Sequence, residues 1–162
     1  MTHLSFYSKQ TLQHFRHPHN YGEIKNPDGK GEAGNIICGD VMSLYLKIKK
    51  NKKGAEVIED IKFKTYGCAA AIATSSVITD LVKGKTIEQA SKISKDNIVE
   101  TLHGLPPIKI HCSILAIDAL GEAIYQYLLK NKRTIPADLK ERHERIEKDK
   151  KNIKARYKKW YH

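Results

Sequence analysis

From residue 42 to residue 66 the chain alternates apolar and polar side chains in two runs, and this pattern limits the fold more than any other feature. Met42, Leu44, Leu46 and Ile48 interleave with Ser43, Tyr45, Lys47 and Lys49, and Ile61, Phe63 and Thr65 with Lys62, Lys64 and Tyr66. A period of two sends the two sets to opposite faces of a strand. With residues 51–54 as the turn, the runs predict an antiparallel meander with a wet, lysine-rich face and an apolar face. The apolar face must be covered, and helical patterns follow. Residues 69–83 carry small and apolar side chains up to a stop at Gly84, with Cys68 at the strand-to-helix junction. Residues 113–130 put Ile114, Ile117, Leu120, Ala123, Ile124, Tyr127 and Leu128 on the inward side of a long helix.

Shorter signals fill in the rest. Residues 5–16, with Phe6, Leu12 and Phe15, predict a helix ending before Pro18, and residues 20–34, rich in Gly and Pro, read as turn and loop. Thr86 with Gln89 has the form of a capping box that opens a helix to about Ile93, and Ser94 caps another that ends at His103 and Gly104. Pro106 and Pro107 predict an extended segment.

A chain of 162 residues suits one domain with a full core. Its formal charge of +11 raises the question of nucleic acid, so the distribution of charge matters. Residues 131–162 hold 12 Lys and Arg against 5 Asp and Glu, whereas residues 1–130 hold 17 against 13. The expected organisation is a domain over residues 1–130 and a charged, basic helical extension over 131–162. In that extension Asp138 and Arg142, Glu141 and Arg145, Glu144 and Lys148, and Glu147 and Lys151 stand four residues apart, a pattern of exposed helices. Leu139, Ile146, Ile153 and Trp160 form only a single-file apolar stripe. The expectation is a solvent-bathed helix, lying loosely on the domain or docking on a partner, with nucleic acid disfavoured.

Three cysteines in three different settings carry the chemistry: Cys38-Gly39-Asp40, Gly67-Cys68-Ala69 and His111-Cys112-Ser113. An odd number, 30 and 44 residues apart, argues for free thiols in a reducing compartment, expected to be the cytoplasm. No basic stretch followed by an apolar run marks the first residues, and no segment reads as a membrane span. Glycines beside Cys38 and Cys68 let the backbone approach an ion, and Lys109 together with helix-start amides favours thiolates. Three thiolates leave a tetrahedral site one ligand short, and Asp40 and His111 are the candidates for the fourth place. A carboxylate is harder than a thiolate and matches sulfide-bridged iron less well, so Asp40 would ease cluster release. Zinc accepts the same donor set, which makes a zinc protein the competing reading. His14, His17 and His19 lack helical metal spacing and read as surface histidines. A Cys112–His111 nucleophile lacks an orienting third group.

Together these residues resemble the iron-sulfur cluster assembly scaffolds of the IscU type, which also form the N-terminal domain of NifU. The resemblance runs from about Tyr7 to Leu129. It rests on Tyr7-Ser8-Lys9, Cys38-Gly39-Asp40-Val41-Met42, Lys64-Thr65-Tyr66-Gly67-Cys68, Ala71-Ile72-Ala73-Thr74-Ser75-Ser76, and the run from Leu105-Pro106-Pro107-Ile108-Lys109 through Ile110 to His111-Cys112-Ser113. It implies an α+β fold: a small antiparallel sheet of three strands covered by helices, with a C-terminal extended basic helix beyond it. It implies a scaffold and sulfur acceptor rather than an enzyme, on which a [2Fe-2S] cluster, and then possible [4Fe-4S] forms, is built from iron and desulfurase-derived sulfur and passed to acceptor apoproteins. Cys38, Cys68 and Cys112 become the cluster cysteines, Asp40 the labile ligand, His111 the alternative ligand and Cys112 the persulfide acceptor. Leu105, Pro106, Pro107, Ile108 and Lys109 match the segment bound by an Hsp70-type chaperone with its J-protein. His111 and the short run between Cys68 and Cys112 distinguish the chain from the related SufU type. Ala69 and Ala70 replace the glycine and the small residue that many members place after this cysteine, and the tail lies outside the resemblance.

Overall fold

The computed structural model describes residues 6–34 and 39–157. Helix α1 (Lys9–Arg16) starts at Ser8, whose hydroxyl accepts the Thr11 N–H and donates to the Leu102 carbonyl. Three strands follow, β1 (Gly29–Gly34), β2 (Val41–Lys50) and β3 (Glu56–Tyr66), in the antiparallel order β1-β2-β3. Met42, Leu44, Leu46, Ile61 and Phe63 are fully buried, so the alternation reads out as expected. On the outer face Lys64 meets Glu23 at 2.6 Å and Lys49 meets Glu59 at 3.3 Å.

Strand β1 corrects the loop reading of residues 20–34. Its glycines are there for close approach, not for turning. A Cβ on Gly31 would lie 2.2 Å from the Ala119 carbonyl oxygen and 2.3 Å from the Ala123 nitrogen, and one on Gly29 would lie 2.4 Å from the Ala123 oxygen. All three atoms belong to α5 (His111–Lys130), the backbone of which lies directly against the strand.

Between β3 and α5 come α2 (Ala69–Val82), α3 (Ile87–Ser91) and α4 (Lys95–Thr101). The expected capping box of Thr86 with Gln89 forms, and the Ser94 cap is itself a box completed by Asn97. His103 and Gly104 end α4 with positive φ values of 56° and 99°. Pro106 is extended, but Pro107–Lys109 winds into a 3₁₀ turn that leads straight into α5, starting that helix two residues before its expected first turn. The core joins β2 and β3 to Val77, Ile78 and Val82 of α2 and to Leu115, Ala116, Ala119, Leu120 and Ile124 of α5. Ile114, expected inward, is 40 % exposed. By length and composition Pro107–Lys130 is apolar enough to cross a membrane, yet 72 % of that window is buried inside the fold, as in a core helix.

The last helix, α6 (Ala137–Tyr157), is docked on α5 and not bathed on all sides. Leu139 and Ile146 are buried, the first within the main core. Arg142 and Arg145 turn away from their expected helix partners toward Asp118 of α5, with Arg145 bidentate at 2.7 and 3.1 Å. His143 meets the Glu122 carboxylate at 2.8 Å and stacks on Tyr125 at 4.0 Å. Periodicity does not reveal this, because the partner acids lie on another helix.

Candidate functional site

Two helix starts and one strand start converge at one end of the sheet. Cys68 is the N-cap of α2, following β3 through Gly67. Cys112 stands in the first turn of α5, and Asp40 immediately precedes β2. The β2–β3 pairing sets Val41 opposite Tyr66, so Asp40 and Gly67 come together at the end of the sheet. Gly67 is required there: a Cβ would lie 2.8 Å from the Asp40 carboxyl carbon and from Oδ1, and 2.9 Å from the Ala71 Cβ.

The result is a compact set of donors. The Cys68 and Cys112 sulfurs are 4.0 Å apart, and Asp40 Oδ2 lies 4.0 Å from the first and 3.9 Å from the second. Asp40 and Cys112 are buried and Cys68 is half-buried. His111 joins them, with one ligand atom each from Asp40, His111 and Cys112 within 4.8 Å of one another. Two thiolates bound to a tetrahedral ion at about 2.3 Å would themselves be ~3.8 Å apart, so the sulfur spacing suits a shared metal. Cys38 lies outside the described residues.

Electrostatics at this end favour a thiolate. The Cys68 thiol is lowered from 9.0 to about 5, first by its hydrogen bond with Cys112, then by the Ala71 N–H at the start of α2 and by Lys109, against opposing burial and the Asp40 charge. Lys109 in turn is held above its ordinary range, chiefly by Cys68. Tyr7, absent from the expected site set, also borders the thiols: burial, followed by Cys68, raises its hydroxyl. Its position before the N-cap of α1 gives no sign of this, since the contact is made across the fold. Leu105 packs with Tyr7 and Cys68 around the buried group Ala70, Ala71 and Cys112. Pro107 and Ile108 are exposed, Ile108 by 77 %.

A buried carboxylate, two thiols and an imidazole gathered at one sheet end are a donor set suited to a soft metal ion, on an α+β scaffold. Comparison with known proteins agrees: the NifU-like N terminal domain family matches residues 6–134. The chain is 54 % identical over 125 residues to the iron-sulfur cluster assembly scaffold protein IscU 1 of Archaeoglobus fulgidus, covering 77 % of this chain and 78 % of that protein. It is 48 % identical over 130 residues to the scaffold protein IscU of Escherichia coli K12, covering 78 % and 96 %. A crystal structure of a SUF-system scaffold candidate from Fervidobacterium islandicum superposes with a TM-score of 0.60 at 22 % identity, covering 75 % of this chain and 98 % of that one, and shares the fold. The chain therefore belongs to the family of NifU-like N-terminal domains and is an iron-sulfur cluster assembly scaffold of the IscU type. Membership makes it a scaffold and not an enzyme. It also implies that the chain binds an iron-sulfur cluster and works with a sulfur donor and cluster acceptors.

Proposed function

We propose that the cluster built here is [2Fe-2S], held by Cys38, Cys68 and Cys112 with Asp40 in the fourth place. The convergence of Cys68, Cys112 and Asp40 within 4.0 Å carries this reading. The cluster is cargo, so weak retention is useful. Asp40 supplies that weakness as the one hard oxygen among soft sulfurs, and half-buried His111 is the ligand that takes over when Asp40 lets go.

Sulfur arrives on a cysteine desulfurase as a persulfide. The Cys112 thiolate attacks its terminal sulfur, forming a new S–S bond while the old one breaks and the donor leaves as a thiolate. An external electron donor supplies two electrons per sulfur to reach sulfide. The thiolate-favouring field around Cys68 and Lys109 serves both sulfur transfer and iron binding. In the cluster-free state the same donors fit zinc. The segment Leu105, Pro106, Pro107, Ile108 and Lys109 is the grip for an Hsp70-type chaperone and its J-protein, with exposed Ile108 as the apolar handle. Residues 1–130 form the scaffold unit and 131–162 its basic extension, and free thiols fit the cytoplasm.

Anaerobic reconstitution with iron, cysteine and a desulfurase tests the reading. A visible-absorbing cluster is expected, lost on Cys68→Ala, Cys112→Ala or Cys38→Ala. Undiminished assembly in the triple variant would sink it. Asp40→Ala is expected to slow cluster loss to a chelator, and faster loss would reverse the role given to Asp40.

A further inference from the structure

Far from Cys68 and Cys112, the side of α1 that faces α2, the turn after α1 and the end of α2 gather a second set of metal-binding groups. One ligand atom each from His14, His19 and Asp80 lies within 4.8 Å of the others. Sequence spacing argues against a site here, because Pro18 takes the chain out of the helix between the two histidines. The fold brings His19 back. Asn20 turns with a positive φ of 58° and donates from Nδ2 to Thr79 Oγ1 at 2.9 Å. The His19 backbone N–H donates to Ser76 Oγ at 2.8 Å, and His14 Nδ1 lies 2.7 Å from the same oxygen. Ser76 is fully buried in α2, so it is a fixed post. The two imidazoles stand 4.7 Å apart at a 55° tilt, and His19 Nδ1 meets Asp80 Oδ2 at 2.6 Å.

We propose that His14, His19 and Asp80 form a second metal site, one that takes a single divalent transition ion such as zinc through two nitrogens and one oxygen. The donor set carries no sulfur, so it suits a mononuclear borderline ion and not a sulfide-bridged cluster. In the tautomer whose Nδ1–H donates to Ser76, His14 presents the lone pair of Nε2. A ligating histidine is usually fixed in this way by an oxygen on its other nitrogen. The ion replaces the proton shared by His19 and Asp80. Three protein ligands leave room for water or an outside donor, since His19 and Asp80 are 50 % and 42 % exposed. Asp80 follows Cys68 along α2 by about 18 Å of helix rise, so the two sites are separate on one rod.

The test counts zinc on the intact, reduced, metal-free chain by equilibrium dialysis. His19→Gln and Asp80→Asn alter exposed side chains only, and each is expected to lower the zinc count by one per chain. His17→Gln, which changes a histidine outside the set, is expected to leave it unchanged. Cobalt(II) at this site is expected to show ligand-field bands without a thiolate charge-transfer band. Ser76→Ala keeps all three ligands and is expected to weaken the site by about 10- to 100-fold. A zinc count that is the same in His19→Gln, Asp80→Asn and the unaltered chain would overturn the proposal. The cysteine end is intact in these variants, so its cluster function is judged separately.

Discussion

Buried carboxylates lie beside or on α5 at two places, and different groups face them. At the α5–α6 seam, Asp118 and Glu122 are met by Arg145, Arg142 and His143 from within the chain. At the cysteine end, Asp40 is met by the sulfurs of Cys68 and Cys112 near 4 Å. The first arrangement pairs its acids with basic side chains of the chain itself. The second gathers acidic and soft groups with Lys109 alongside, a donor set suited to a metal ion. At each place a glycine leaves little space for a Cβ, Gly121 beneath Arg142 and Gly67 beneath Asp40. One architecture thus serves closure at one end and readiness at the other.

Removing α6 should separate the two most strongly. Leu139 and Ile146 are 2 % and 4 % exposed, and burial of each aliphatic side chain contributes ~1.5–3 kcal/mol. Deletion of residues 137–162 is expected to lower stability by about 3 kcal/mol or more in urea titrations, with cluster yield within roughly twofold of the full chain. Loss of cluster assembly in a truncated chain that still folds would show that the ends are coupled. Unchanged weak binding to DNA and RNA after the same deletion would dispose of a nucleic-acid role for the tail.

Gly67→Ala attacks the cysteine end. Its Cβ would press on the Asp40 carboxyl and on Ala71, both short groups with no room to swing away. A loss of about 1–3 kcal/mol is expected from overpacking, together with loss of cluster assembly as Asp40 is displaced. A stable variant that still assembles clusters would mean that Asp40 does not need this position.

Much of the fold was legible because it rests on short-range rules. The alternation of Met42, Leu44 and Leu46, the Thr86–Gln89 capping box, the Ser94 cap and the stop at His103 and Gly104 are local signals, and the structure forms each of them. Strand β1 was not legible, because glycine punctuates turns and also admits close backbone approach, and only the position of α5 decides which. The site divides in the same way. The motifs point to Asp40, Cys68, His111 and Cys112, which the fold brings together, whereas Tyr7, the close fit at Gly67 and the His14–His19–Asp80 group depend on contacts between distant segments. The docking of α6 was hidden for the same reason, since Arg142 and Arg145 have acids at helical spacing and choose Asp118 instead.

A pH measurement sharpens the electrostatic side of the comparison. The folded Cys68 thiol titrates near 5 instead of 9.0, so between those values the folded metal-free chain holds fewer protons than the unfolded one. This group's stabilisation is complete above the upper value, falls as pH drops through the window and is lost near the lower value. Cys112→Ala removes the largest cause. The alkylation midpoint at Cys68, followed by peptide mass spectrometry, is expected to climb toward the ordinary thiol range and this part of the pH dependence to flatten. An unmoved midpoint would shift the cause to the α2 amides and Lys109.

The smallest expected effect is at the second glycine. A Cβ on Gly121 would lie 2.6 Å from Arg142 Nη1 and 2.9 Å from its Cδ, which looks as severe as the clash at Gly67. The obstructing atoms, however, are toward the end of a flexible side chain, and Arg145 already holds Asp118 in bidentate fashion. Alanine also gains about 1 kcal/mol over glycine within a helix. Gly121→Ala is therefore expected to remain within about 1 kcal/mol of the parent in urea unfolding, as Arg142 swings outward and the helix gain offsets the lost contact. A loss as large as that of Gly67→Ala would mean that the seam is as tightly fitted as the cysteine end. Closure there would then depend on shape, and not only on the pairing of charges.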